Sequence, residues 1–298
     1  MIACNLLFWR WMQRAAVILG SLFICAATGA AFSKDNPSAR LPDGNIAKAT
    51  LGDEQISAWY GSPTTRYAHG ILGDATEAGS LHVEVNSGPT LSHILPQDEV
   101  FEDRTPRLVD LDGDGVLEII TIRSYRTSGG SLAVFGVRNN TLTELAKSEP
   151  IGRANRWLNI AEVGDFAERG NNQIAFVETP HIGGTLHLAE WQGNRLVTFH
   201  SLGGFSNHKI GSREQDLSGT IFFNDDRLPD LAVPSDNRRV LRIAGVADGK
   251  LQELHRFELP SPVARRADID YEVPQNCIHF DLENGERFDL CLPYPEDR

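Results

Sequence analysis

The chain of 298 residues is poor in cysteine (four), methionine (two), aromatics (8%) and basic charge. Four cysteines are too few for a scaffold built on disulfides, and no CxxC pair offers a redox or zinc motif. Lys and Arg number 28 against 40 Asp and Glu, a formal net charge of −12. Such a balance argues against nucleic acid, or an anionic membrane surface, as a general partner. Past residue 31 no apolar run approaches the ~20 residues that span a bilayer, which excludes an integral span once the leader is removed. A GxSxG elbow, an HExxH pair and a phosphate loop are all missing. The nine histidines are scattered, and Asp and Glu are too common to single out a glycosidase pair. No catalytic residue is nominated from the sequence.

The leader itself is present. Arg10 and Arg14 precede the apolar run Ala15–Ile24 and the small residues Cys25 to Ala31. That order predicts a signal peptide over 1–31, cleaved near Gly29–Ala31, and a periplasmic or secreted protein. Residues 32–45, polar and carrying Pro37 and Pro42, read as a linker. Loss of Arg10 and Arg14 leaves 26 basic and 40 acidic side chains, a net charge of −14. Cys4 and Cys25 leave with the leader, and Cys277 and Cys291 remain. They flank two β-patterned runs joined by Glu283-Asn284-Gly285, a three-residue hairpin loop with glycine at the left-handed position. This loop sets Cys277 opposite Cys291, and an oxidising compartment predicts a disulfide.

From residue 46 to 298 short apolar runs alternate with Gly, Asn and Asp turns, the pattern of an all-β protein. Similar runs recur at Leu81 (Gly-Ser-Leu-His-Val), Leu132 (Gly-Ser-Leu-Ala-Val), Leu186 (Gly-Thr-Leu-His-Leu) and Leu241 (Arg-Val-Leu-Arg-Ile), at separations of 51, 54 and 55 residues. A period of this size with four short strands reads as a β-propeller blade. Four blades are visible. The N-terminal runs Ile46–Leu51 and Gln55–Tyr60 and the C-terminal hairpin are left over. Together they predict a fifth blade closed by strands from both ends, with six or seven blades as alternatives.

The densest chemistry is Asp110-Leu-Asp112-Gly-Asp114-Gly115-Val116-Leu-Glu118. Acids stand at positions 1, 3, 5 and 9, with glycine at 6 for the bend. Hard cations take six to eight oxygens, which such a loop largely supplies. Asp110, Asp112, Asp114 and Glu118, with the Val116 carbonyl, are therefore the expected calcium ligands. The glutamate at position 9 rather than 12, and the strand-like Ile119–Ile122 that follows, set this loop apart from the helix-flanked calcium loop.

These residues carry a resemblance. Phe101 to Val137 resembles one repeat of the FG-GAP/VCBS type, found in integrin α-subunit propellers and many bacterial exported proteins. The run from Phe223 through Asp225, Asp226, Leu228, Pro229 and Asp230 to Val233 resembles the same repeat. The resemblance implies a propeller whose blades hold calcium between their first two strands. It implies no particular activity.

Two further loops are degenerate. Asp165 to Gln173 has Ala167 and Arg169 at positions 3 and 5, which predicts no calcium, with the Arg169 guanidinium bridging Asp165 to Gln173 in its place. Phe222 to Asp230 replaces the first acid by Phe222 and the glycine by Arg227. One calcium is expected. On the opposite face, loops carry basic and aromatic residues, among them Arg126, Arg156, Trp157 and His181, and these are the candidate ligand-binding residues for an anionic glycan or protein. The sequence thus predicts an exported, non-catalytic calcium-binding propeller serving as a binding, adhesion or scaffold module. A propeller hydrolase or lyase acting on an acidic polysaccharide is the alternative. Asp, Glu, Tyr or His clustered at the centre of the basic face would favour the enzyme.

Overall fold

In the computed structural model, residues 39–267 and 276–293 are described. The leader and residues 32–38 of the linker lie outside them. Every regular element among the described residues is a strand, and none of them forms a helix. Accordingly no helix there is long and apolar enough to cross a membrane.

The strands fall into repeated antiparallel meanders. The first is β1 (Ala47–Leu51), β2 (Glu54–Thr64), β3 (Glu77–Val85) and β4 (Leu91–Ile94). A three-residue strand, β5 (Glu99–Phe101), bridges it to the second, which is β6 (Arg107–Val109), β7 (Glu118–Tyr125), β8 (Gly129–Arg138) and β9 (Thr141–Lys147). The third is β10 (Leu158–Gly164), β11 (Gln173–Glu178), β12 (Thr185–Gln192) and β13 (Arg195–Gly203). The fourth is β14 (Gly219–Ile221), β15 (Asp230–Pro234), β16 (Val240–Ala247) and β17 (Lys250–Glu258). A three-stranded sheet of β18 (Val263–Arg266), β19 (Cys277–Leu282) and β20 (Arg287–Cys291) follows.

The middle strands read as near-continuous apolar runs because both of their faces are covered. In β8, Leu132 and Val134 join the apolar cluster shared with the third meander, while Ala133 and Phe135 join the one shared with the first. In β11, Ile174 and Phe176 face the second meander, and Ala175 and Val177 face the fourth. Period-two alternation thus feeds two different cores from one strand. The outer strands β9 and β17 alternate buried and exposed residues instead. The four repeat leucines are equivalent. Leu81, Leu132, Leu186 and Leu241 each sit in the third strand of a meander, fully buried, in the cluster shared with the next sheet.

Two sequence expectations meet the strand pairings differently. The hairpin register is as read, with Cys277 opposite Cys291 and a disulfide between them. The closing blade is not. The N-terminal runs pair with each other and then with β3, and the C-terminal hairpin pairs with β18. No pairing among the described residues joins the two ends of the chain. The run around the recurring leucine marks the third strand of a unit, so the two runs before Leu81 are the first and second strands of that same unit.

Candidate functional site

The Asp110 loop follows the short β6 and ends at Glu118, the first residue of β7. Gly113 and Gly115 adopt φ of +74° and +84°, which lets the backbone turn its N–H groups inward. The Asp110 carboxylate accepts the N–H groups of Gly113, Asp114 and Gly115 at 2.8, 3.1 and 3.0 Å. Glu118 is buried. Its Oε2 accepts the Leu111 N–H at 3.1 Å and its Oε1 accepts Arg138 at 3.1 Å. Asp110, Asp112 and Glu118 each bring an oxygen to within 4.8 Å of the others. Asp114 stands outside that group, its Oδ1 accepting the Val116 N–H at 2.8 Å. An all-oxygen set of three carboxylates on a glycine turn fits a hard cation. Arg138 is the competing charge on Glu118.

The neighbouring loop closes without a bridging guanidinium. Asp165 accepts the backbone N–H groups of Arg169 and Gly170, while the Arg169 side chain turns away to Glu190 at 2.7 Å and onto the Phe199 ring. The expected Asp165–Arg169–Gln173 bridge is therefore replaced by a direct contact between Gln173 and Asp165. An aromatic face and a free carboxylate lay within the arginine's reach, and neither was visible in the loop's own sequence.

Of the cations expected on the opposite face, several are already neutralised. Arg123 is buried against Glu99 and Glu144, Arg213 pairs with Asp43 and Asp74, and Lys209 and Arg238 share Glu283. Arg126, Arg153 and Arg156 form no ion pair with any described carboxylate. Their loops lie side by side, since Gly130 donates to the Arg156 carbonyl at 2.7 Å and Arg153 to that of Ser128 at 3.1 Å.

Arg156, Trp157 and His181 converge on one cleft of about 310 Å³, joined there by His69, Asn155 and Thr179. Arg126 is not in its wall; it donates to the Arg66 carbonyl at 2.9 Å on the adjacent loop. Ile182 and Ile210, two of the few large apolar side chains left exposed, form part of the wall. Trp157 itself is core. Its indole N–H donates to the Glu102 carbonyl at 2.9 Å, and its ring lies parallel to His181 and edge-on to His208.

The imidazoles of this cleft have assignable tautomers. His208 lies 3.0 Å from the Ser212 carbonyl, which can only accept, so its Nε2 carries the proton. Its bare Nδ1 then accepts from His181 Nε2 at 2.9 Å, which leaves Nδ1 of His181 without a proton. Burial above all keeps both rings neutral, helped by the charge of His69 at His181 and of His181 at His208, with pKa values lowered to about 4 for His181 and about 3 for His208. His69 Nδ1 lies 2.6 Å from Oε1 of the fully buried Glu102. The other Glu102 oxygen accepts the Ser124 hydroxyl at 2.5 Å. Burial raises the Glu102 pKa, and His69 and Ser124 oppose the rise. Glu77, beside it, is pushed far above the carboxylate range by burial and by Glu102. Glu102 thus holds His69 through one oxygen and Ser124 through the other.

The sequence signalled Arg156, Trp157 and His181 but not His69 or Glu102. Neither has a motif around it, and the pairing of β5 with β7 sets the following Glu102 beside Ser124 and His69.

No protein-family model matches the sequence, and no curated protein matches it. Among solved structures the chain is similar to Bacillus licheniformis Rhamnogalacturonan Lyase PL11, at 14% identity and a TM-score of 0.38. The similarity covers 75% of this chain and 54% of that one, so the chain spans about half the length of that structure.

Proposed function

We infer that the chain is an exported five-bladed β-propeller of the FG-GAP/VCBS type that holds one structural calcium at the Asp110 loop and binds an anionic glycan at the cleft on the other face. The propeller reading is supported by successive meanders packed face to face through shared apolar clusters. The export reading is supported by the leader and by the disulfide. In the calcium reading Asp110, Asp112 and Glu118 hold the ion, with Asp114 and the Val116 carbonyl completing its shell.

The observation that carries the binding reading is the convergence of Arg156, His69 and His181 on one cleft with exposed isoleucines in its wall. Pockets of about 300–1,000 Å³ with apolar walls and a few converging polar groups are the usual form of small-molecule sites. Arginine without an acidic partner supplies the anion preference, and no Asp or Glu lines the cleft. Titration calorimetry of the mature protein with galacturonate tests it. Binding should weaken with added salt, and Arg156→Gln should cost roughly 1.5–3 kcal/mol of affinity. Equal affinity of wild type and Arg156→Gln would reject the cleft as the anion site. The second reading, an enzyme on acidic polysaccharide, is favoured by His69 and His181 in the cleft wall, with Glu102 buried behind His69.

A further inference from the structure

The wall of the cleft contains no carboxylate, so the paired acids of a glycosidase are missing from it. No cysteine or serine lines it either. What it does offer is an imidazole held from behind by a buried carboxylate, next to a cation with no acidic partner. His69 Nδ1 lies 2.6 Å from Glu102 Oε1, and with the shared proton on that nitrogen the Nε2 facing away from Glu102 carries a lone pair. A carboxylate in this position fixes the ring and stabilises the imidazolium when a proton arrives. Glu102 is itself held by Ser124 and fully buried, so the dyad cannot swing.

We propose that His69 is a catalytic base that removes the proton on the carbon next to a carboxylate of a 4-linked uronate polysaccharide, with Arg156 pairing that carboxylate and Glu102 positioning the base. This rests on the cleft being the glycan site. The C5–H electron pair becomes the C4–C5 double bond, and the C4–O bond to the leaving sugar breaks with its pair on oxygen. The imidazolium of His69 returns its proton to that oxygen, so the dyad ends as it began and no co-reactant is consumed. Arg156 acts because charge builds on the carboxylate as the proton leaves, and a fixed cation there favours the transition state over the ground state. His181, neutral and anchored through His208, contributes shape and an acceptor rather than charge.

The test uses the mature protein and two probes. Polygalacturonate and alginate report elimination through the ultraviolet absorbance of the unsaturated uronate end. Galacturonate monomer, which lacks a sugar leaving group, reports binding alone. Wild type should bind the monomer and yield unsaturated ends from one of the polymers. His69→Gln should bind the monomer, melt as wild type does, and lose elimination by at least ~100-fold, the lower range for general base catalysis. Glu102→Gln should lower kcat with little change in KM, whereas Arg156→Gln should raise KM and weaken monomer binding. Monomer binding without product from either polymer would overturn the catalytic proposal and leave the binding reading in place. Undiminished elimination by a folded His69→Gln would also overturn it. If wild type does not bind the monomer, the binding reading fails, and the proposal with it.

Discussion

Gln173 Nε2 donates to Asp165 Oδ1 at 3.1 Å, across the same two loop positions that Asp110 and Glu118 occupy in the preceding meander. In both loops the residue at position 9 accepts the backbone N–H that follows the first acid, Leu111 onto Glu118 and Phe166 onto Gln173. The amide adds a donor where the glutamate adds a charge. The Asp165 loop therefore closes on itself, whereas the Asp110 loop leaves carboxylates facing one another.

Calcium should accordingly act through one loop. With the ~0.1 mM dissociation constant of a good extracellular site, ~1 mM free calcium stabilises by about 1.4 kcal/mol. The melting temperature should rise modestly with calcium, and the rise should vanish in Asp112→Ala. Asp110→Ala should lower the melt even in chelator, since three backbone N–H groups lose their acceptor. A wild-type melt that ignores both calcium and chelator would reject the metal site.

The Cys277–Cys291 bond closes a short loop, and chain-entropy arguments put its contribution at roughly 3 kcal/mol. Unfolding in denaturant with and without reductant should differ by about that amount. Intact mass before and after reduction should differ by two hydrogens.

The pair His181 and His208 makes stability depend on pH. Both are lowered, to about 4 and about 3, from an ordinary value of ~6.5. Below pH ~6.5 the unfolded chain takes up these protons first, so stability falls as pH falls from ~6.5 towards 4 and is flat above ~7 as far as these groups go. Denaturant midpoints across that window should show the fall, and it should shrink in His208→Asn. Imidazole resonances of the folded protein should show two rings still neutral at pH 5.

Gly129 sits at φ +77°, and a Cβ there would lie 2.4 Å from the Arg153 carbonyl and 2.7 Å from that of Arg156. Those contacts are backbone and cannot yield cheaply. Gly129→Ala should destabilise by more than the ~1 kcal/mol usual for glycine positions, and should weaken galacturonate binding by displacing the arginine loop. Paired melting and calorimetry check both effects.

Much of this fold could be read from the chain because its repeats obey one local rule. The recurring leucine marks a third strand each time, and the Glu283-Asn284-Gly285 turn fixes the register of Cys277 with Cys291. The ends were misread because the marker falls late in its unit. The cleft was half legible. Loop positions group Arg156, Trp157 and His181, but Trp157 is core, because its indole donates to the Glu102 carbonyl 55 residues away in the chain. The bond from His69 to Glu102 spans 33 residues and depends on where the 65–76 segment between β2 and β3 folds back, which local sequence does not specify.

The sharing of each apolar cluster between consecutive sheets has a consequence for synthesis. A sheet just completed at the growing end has one face covered by its predecessor and one left bare until its successor arrives. Leu81, Leu132 and Leu186 each wait for about one unit of chain. Leu241 and Ile243 wait for Ile278, Phe280 and Leu290 of the final hairpin. Oxidation of Cys277 and Cys291 locks the two strands that hide this last adhesive face. A product truncated before residue 276 would keep it bare and should self-associate through it.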